Sequence, residues 1–148
     1  MTQLTEHEAR QMIAVVNTRN IDKVMEQYAE DASFQVPTLE KPIHGKTAIR
    51  GFLAGSFQAF PDWTLDVKNV YIQGQDVIVL NSVHGTHTGP LTAQDGKSIA
   101  PTNKKFVQEQ LSRVVLNEAG KIQSFRAYGI ASDLNQQLGL ARQIALAP

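Results

Sequence analysis

The chain has 148 residues, 14 of them basic and 14 acidic, and 42% are apolar, so one domain over residues 1–148 with a real core is expected. With formal charges that cancel and no basic block to neutralise phosphates, nucleic acid is not an expected partner. There is no cysteine, which removes disulfides, thiolate nucleophiles and thiolate metal sites together. No apolar run approaches the roughly 20 residues of a membrane helix, and MTQLTEHEAR lacks the features of a secretory signal, so a soluble cytoplasmic protein is expected.

Helices come first. Thr5 and Glu8 form a capping box ahead of the stripe Ala9, Met12, Ile13 and Val16. Asn20 caps a second helix, whose stripe is Ile21, Val24, Met25 and Tyr28. Ser33 to Val36 reads as a short extended piece, followed by a turn-rich segment ending at Gly45 in which His44 is solvated. A third helix carries Ile49, Phe52, Leu53 and Phe60 and stops at Pro61. Gly51 and Gly55 lie inside it, where close backbone packing is the expected reason for them.

From Trp63 the period changes to two. A strand through Leu65 and Val67 turns at Gly74-Gln75 into a long strand from Val77 to Thr88. Phe106 to Leu116 and Lys121 to Ile130 read as a hairpin, with a loop from Gly89 to Asn103 before it. Helices followed by hairpin-linked strands predict an α+β fold with an antiparallel sheet. In the 77–88 strand one face carries Val77, Val79, Val83 and His87, the other Ile78, Leu80, His84 and Thr86. Both faces are apolar at one end, which predicts helices on one side and a second subunit, a homodimer, on the other.

His84 and His87, three apart on a strand, point to opposite faces and cannot share a metal ion. With no HExxH, GxSxG, P-loop or GxGxxG, neither a metal nor a nucleotide cofactor is expected. His87, at a strand end between Gly85 and Gly89, is a candidate general acid or base, or a hydrogen-bonded structural histidine. Arg126, Tyr128 and Ile130 share a face of the last strand by parity. In so apolar a stretch Arg126 calls for an acid or a ligand, and Glu109 on the neighbouring arm is the natural structural partner. Trp63 serves as core filler or as binding wall.

The stretches FPDWTLDVKNVYIQGQDVIVLNSVHGTHTGPL (60–91) and GKIQSFRAYGIASDLNQQLG (120–139) resemble the SnoaL-like polyketide cyclases of the nuclear transport factor 2-like superfamily. NIDKVMEQYAEDASF and IHGKTAIRGFL look like that superfamily's helix–strand–helix opening, and GTHTG, APTNK, GKI and QLG are the more SnoaL-like pieces. The resemblance implies a cone-shaped α+β fold with helices on a curved sheet, an enclosed pocket for a small hydrophobic molecule, and aldol ring closure without metal or organic cofactor. It places the family's pocket histidine on His87. The family's acid–base Asp falls on Ile130, eight residues after the Ile of GKI, and its preceding Trp falls on Arg126. The Asp-Pro of ketosteroid isomerases is matched here by Val36-Pro37. Asp133 reaches back toward the pocket or caps the final helix.

Two readings follow. In the first the protein is a cofactor-independent lyase or isomerase, with His87 moving the proton, Arg126 and Tyr128 stabilising an enolate, and Asp133 as a further acid–base candidate. In the second it is a non-catalytic protein that binds a hydrophobic carbonyl or carboxylate ligand through Arg126. Tyr28, Trp63, Glu109 and Ile130 are the candidate substrate contacts in either case. One cavity lined by His87, Arg126, Tyr128 and Ile130 is the expected geometry.

Overall fold

The structure, a computed structural model, describes residues 3–92, 96–129, 134 and 136–140. The first helix, α1 (Glu6–Ala14), begins with the predicted reciprocal box: Glu8 N–H donates to Thr5 Oγ1 at 3.1 Å, and Thr5 N–H to the Glu8 carboxylate at 3.3 Å. A 3-10 turn (Val15–Thr18) ends at Arg19 in the left-handed region, φ 51°, and Asn20 then caps α2 (Ile21–Glu26) by accepting from Lys23 N–H at 3.2 Å.

Tyr28 does not continue the α2 stripe. It opens the first strand, β1 (Tyr28–Gln35), because the Gln27 carbonyl is taken by Ile122 N–H at 2.7 Å. That bond starts a parallel pairing which no short-range pattern announces. A two-residue strand, β2 (Ile43–His44), lies within the segment read as turns, with His44 exposed. Gly45 (φ 92°) leads into α3 (Lys46–Ala59), which stops just before Phe60-Pro61.

The remaining strands are β3 (Thr64–Gln73), β4 (Asp76–Thr86), β5 (Leu91–Thr92), β6 (Ser98–Ile99), β7 (Lys105–Leu116) and β8 (Ile122–Tyr128). Six of them form one sheet in the order β2-β1-β8-β7-β4-β3, antiparallel throughout except for the parallel β1/β8 pair. The fold is α+β with a large, mostly antiparallel sheet. The small β5–β6 hairpin stands in what the sequence read as loop.

Helices cover one face of the sheet. Val77 and Val79 of β4 and Val114 of β7 are sealed beneath Met25 of α2 and Ile49 of α3, in a core that Phe34 of β1 joins. Burying each such side chain contributes about 1.5–3 kcal/mol. The other face carries Ile78 and Leu80, half-buried, and the exposed Val107, Leu111 and Tyr128, with Tyr71 of β3 exposed as well. Among the described residues no helix is long and apolar enough to cross a membrane.

The segment GTHTG ends β4 by docking on the C-terminus of α3. The Ala59 carbonyl accepts from both Thr88 N–H (3.1 Å) and Gly89 N–H (3.0 Å), while the Asp62 carboxylate takes Thr86 N–H and Oγ1, each at 2.7 Å. The strand therefore stops at Thr86 rather than Thr88. Gly89 is required by space: a Cβ there would lie 1.9 Å from the Gln58 carbonyl oxygen. Gly89→Ala is expected to lower the unfolding free energy by about 2 kcal/mol or more in urea titrations, because backbone must move to admit the methyl group. A change within about 0.5 kcal/mol would contradict this close approach.

Candidate functional site

Between the inner sheet face and the helices lies a cavity of about 350 Å³. Its volume falls in the range of small-molecule sites. The walls are aromatic and aliphatic. Phe34 of β1 stacks on Phe125 of β8 (centroids 5.2 Å) and tilts against Phe52 of α3 (5.5 Å), while Trp63 meets Phe57 edge-on at 6.0 Å. Trp63 is thus both packing and wall. None of the described lining residues is an Asp, Glu, Lys, Arg or His.

The polar groups in it are neutral. Tyr28, only 6% exposed, lines the cavity, and its hydroxyl has no hydrogen bond among the described residues. Burial pushes the Tyr28 phenol well above its ordinary range, so it remains an O–H donor. Gln108 and Gln110 of β7 also line the cavity, and Gln110 Nε2 donates to Gln108 Oε1 at 3.2 Å. On the same inner face Ser112 Oγ donates to Asn81 Oδ1 at 2.9 Å. The sequence reading missed these amides, although a signal existed. Gln108, Gln110 and Ser112 alternate with Phe106 and Val114 at both ends, so a polar run was bound to occupy the face those apolar residues bury.

His87 is fully buried but does not line the cavity. Phe60, whose ring packs on the imidazole at 5.5 Å, lines it instead. His87 Nδ1 accepts from Thr102 N–H at 3.2 Å and lies 3.0 Å from Thr102 Oγ1. An Nδ1 that accepts an amide N–H leaves the neutral ring's proton on Nε2, which is buried without a hydrogen-bond partner among the described residues. The lone pair a general base would use is therefore taken by the 100–104 segment. This favours the structural role for His87 that the sequence left open.

The expected convergence of four residues on one cavity is not what forms. Arg126 and Tyr128 do share a face of β8, but it is the outer one: both are exposed, with the guanidinium 4.7 Å over the tyrosine ring. The reason is a bulge. Leu116 pairs with Ile122 and Val115 with Ser124, so β8 holds an extra residue there and parity reverses beyond it. Ile122 and Phe125 line the cavity, and Arg126 is turned out. Glu109 is also exposed on the outer face, and it pairs with Lys68 of β3 rather than with Arg126. Arg113, opposite Arg126 in register, binds both oxygens of Asp76 at 2.7 and 2.9 Å. Ile130 and Asp133 lie outside the described residues. Among the described residues no group of three or more His, Cys, Asp or Glu side chains comes together to hold a metal.

Gly51 and Gly55 were expected to serve close packing. In fact both line the cavity, and a Cβ at either would meet nothing within 4 Å.

Burial holds the His87 imidazole below its ordinary pKa, partly offset by the adjacent Gly89 backbone. The unfolded chain therefore takes up this proton first as pH falls through about 6.5, and the native state loses stability on the acid side. Urea unfolding is expected to show stability dropping from pH 7.5 to 5.5, with a smaller drop in His87→Gln. Equal drops in the two proteins would show that another group titrates.

The model of the SnoaL-like domain matches residues 9–125. A proposed SnoaL-like polyketide cyclase from Jannaschia sp. CCS1 superposes with a TM-score of 0.72 at 16% identity, covering 95% of this chain and 99% of its own. IdmH, a proposed polyketide cyclase from Streptomyces antibioticus, gives 0.68 at 21% identity, with 90% of this chain and 100% of its own covered. A protein of ketosteroid isomerase-like fold from Catenulispora acidiphila, solved with trimethylamine, gives 0.70 at 15% identity, with 89% and 95% covered. No curated protein matches the sequence. At these identities the structures establish a shared fold, and the domain match establishes kinship: the chain belongs to the SnoaL-like domain family, on the nuclear transport factor 2-like, ketosteroid isomerase-like fold.

Proposed function

We propose that the protein takes up a small, uncharged, largely apolar carbonyl compound in its cavity. The observation that carries this reading is a site of about 350 Å³ whose described lining holds neutral donors, Tyr28 above all, and no charged side chain. An anionic ligand would be desolvated there with no cation among the described lining residues to meet it, at a cost of several kcal/mol. A ketone oxygen needs only a hydrogen bond, and the protonated Tyr28 hydroxyl has one to give.

The second reading is catalytic: cofactor-independent aldol cyclisation or isomerisation of such a compound. The similar structures described as polyketide cyclases favour it. In that reading the walls fold the substrate so that its reacting carbons meet, and Tyr28 stabilises the developing enolate oxygen. A proton acceptor is also needed, and neither His87 as it stands nor any described lining residue supplies one. Arg126 and Tyr128, turned to the other face, have no part in either reading.

Neutral aryl ketones are expected to raise the melting temperature in a thermal-shift panel, while carboxylated analogues of equal size bind about 10-fold more weakly or worse. Tyr28→Phe should weaken ketone binding about 3- to 10-fold, the worth of one hydrogen bond. Tighter binding of the carboxylates would sink the proposal.

The outer face supports a homodimer as the second part of this proposal. Val107 (58% exposed), Leu111 and Tyr128 form an apolar stripe on a sheet face that, among the described residues, no helix covers. Light scattering at micromolar concentration is expected to give twice the chain mass, and a Val107→Glu/Leu111→Glu variant the single mass. A stable wild-type monomer would overturn this part alone.

A further inference from the structure

Two glycines within a 14-residue helix need a reason, because glycine is the weakest helix former short of proline. The two ordinary reasons are absent at Gly51 and Gly55. Neither has a positive φ, and a Cβ at either would meet no atom within 4 Å. They stand one turn apart, with Gln58 continuing the same stripe, and all three are exposed while lining the cavity. Among the described residues the other exposed ones in the lining are Pro90, Thr92 and Ser98, at the β5–β6 hairpin, and α3 packs against β5. Residues that both line the cavity and reach solvent mark where it opens. Deeper in the same cavity stands Tyr28, 6% exposed, its hydroxyl without a partner among the described residues. A hydroxyl open to the cavity behind a strip of bare backbone points to an occupant that arrives past that strip.

We propose that Gly51 and Gly55 form the portal of the cavity: the ligand enters between α3 and the β5–β6 hairpin, passing over helix backbone that side chains would obstruct. This rests on the reading of the cavity as a site for an uncharged carbonyl compound. Helix stability is given up here in exchange for access, a trade seen where function and stability compete.

The test uses the full chain and Prodan, an uncharged naphthyl ketone whose emission reports its surroundings. Unliganded melting temperatures and stopped-flow association rates are measured for wild type, Gly51→Ala, Gly55→Ala, Gly55→Leu and the control Ala54→Leu. Ala54 is exposed on the same helix and does not line the cavity. Each alanine variant is expected to melt about 3 °C higher, since it gains helix propensity without a clash. Gly55→Leu should associate about 10-fold more slowly or worse while keeping at least the wild-type melting temperature, and Ala54→Leu should associate at the wild-type rate. Lower melting of the alanine variants would overturn the proposal by showing that the glycines serve packing. Wild-type association in Gly55→Leu would place the entrance elsewhere while leaving the cavity reading intact. A wild-type protein that does not bind Prodan would remove the cavity reading and this inference with it.

Discussion

The structure depends on one carbonyl at the end of α3. A helix C-terminus leaves carbonyls unpaired, and a strand leaving its sheet leaves amides unpaired. Ala59 and the Thr88–Gly89 turn satisfy each other, with the Asp62–Thr86 pair as a second tie. Each bond contributes only about 1 kcal/mol net. Their larger effect is geometric, since they fix the end of β4 against the helix and seat Phe60 over His87. The cavity wall at that end is set by this junction. Much of what makes the chain resemble its family, FPDW and GTHTG, is therefore architecture.

With the junction made, the sheet separates its chemistry by face. The inner face is neutral: aromatic rings, aliphatic chains, amides and a phenol held in its protonated form. The outer face carries the charges, in pairs such as Lys68–Glu109 and Arg113–Asp76. Exposed pairs of this kind contribute little, because water screens them. Their placement matters more than their energy, because it leaves the described cavity lining without a formal charge. An interior like that selects ligands by shape, by apolar area and by the position of one or two hydrogen-bond acceptors.

Tyr28 and Trp63, both on the cavity wall, were within reach of the sequence because large aromatics flanking helix and strand boundaries have few other places to go. Arg126 and Tyr128 were not. Alternation states which residues of a strand travel together, and a single extra residue at Ile122–Ser124 decides which way they face. Gln108 and Gln110 carried a readable sign, since apolar residues of equal parity bracket them. His87 stood out in the sequence by its position between Gly85 and Gly89 at a strand end. Whether that place was a site or a core depended on Thr102, fifteen residues away.

Local signals in the sequence determined the helices, their caps, the stop before Pro61, the antiparallel hairpins and the α+β class. Each depends on periodicity or capping within a few residues. Tertiary structure decided the parallel β1/β8 pairing, the docking of GTHTG on α3, the sealing of His87 and the outward turn of Arg126. These depend on distant backbone groups finding partners and on one bulge reversing parity, and no short-range pattern encodes either.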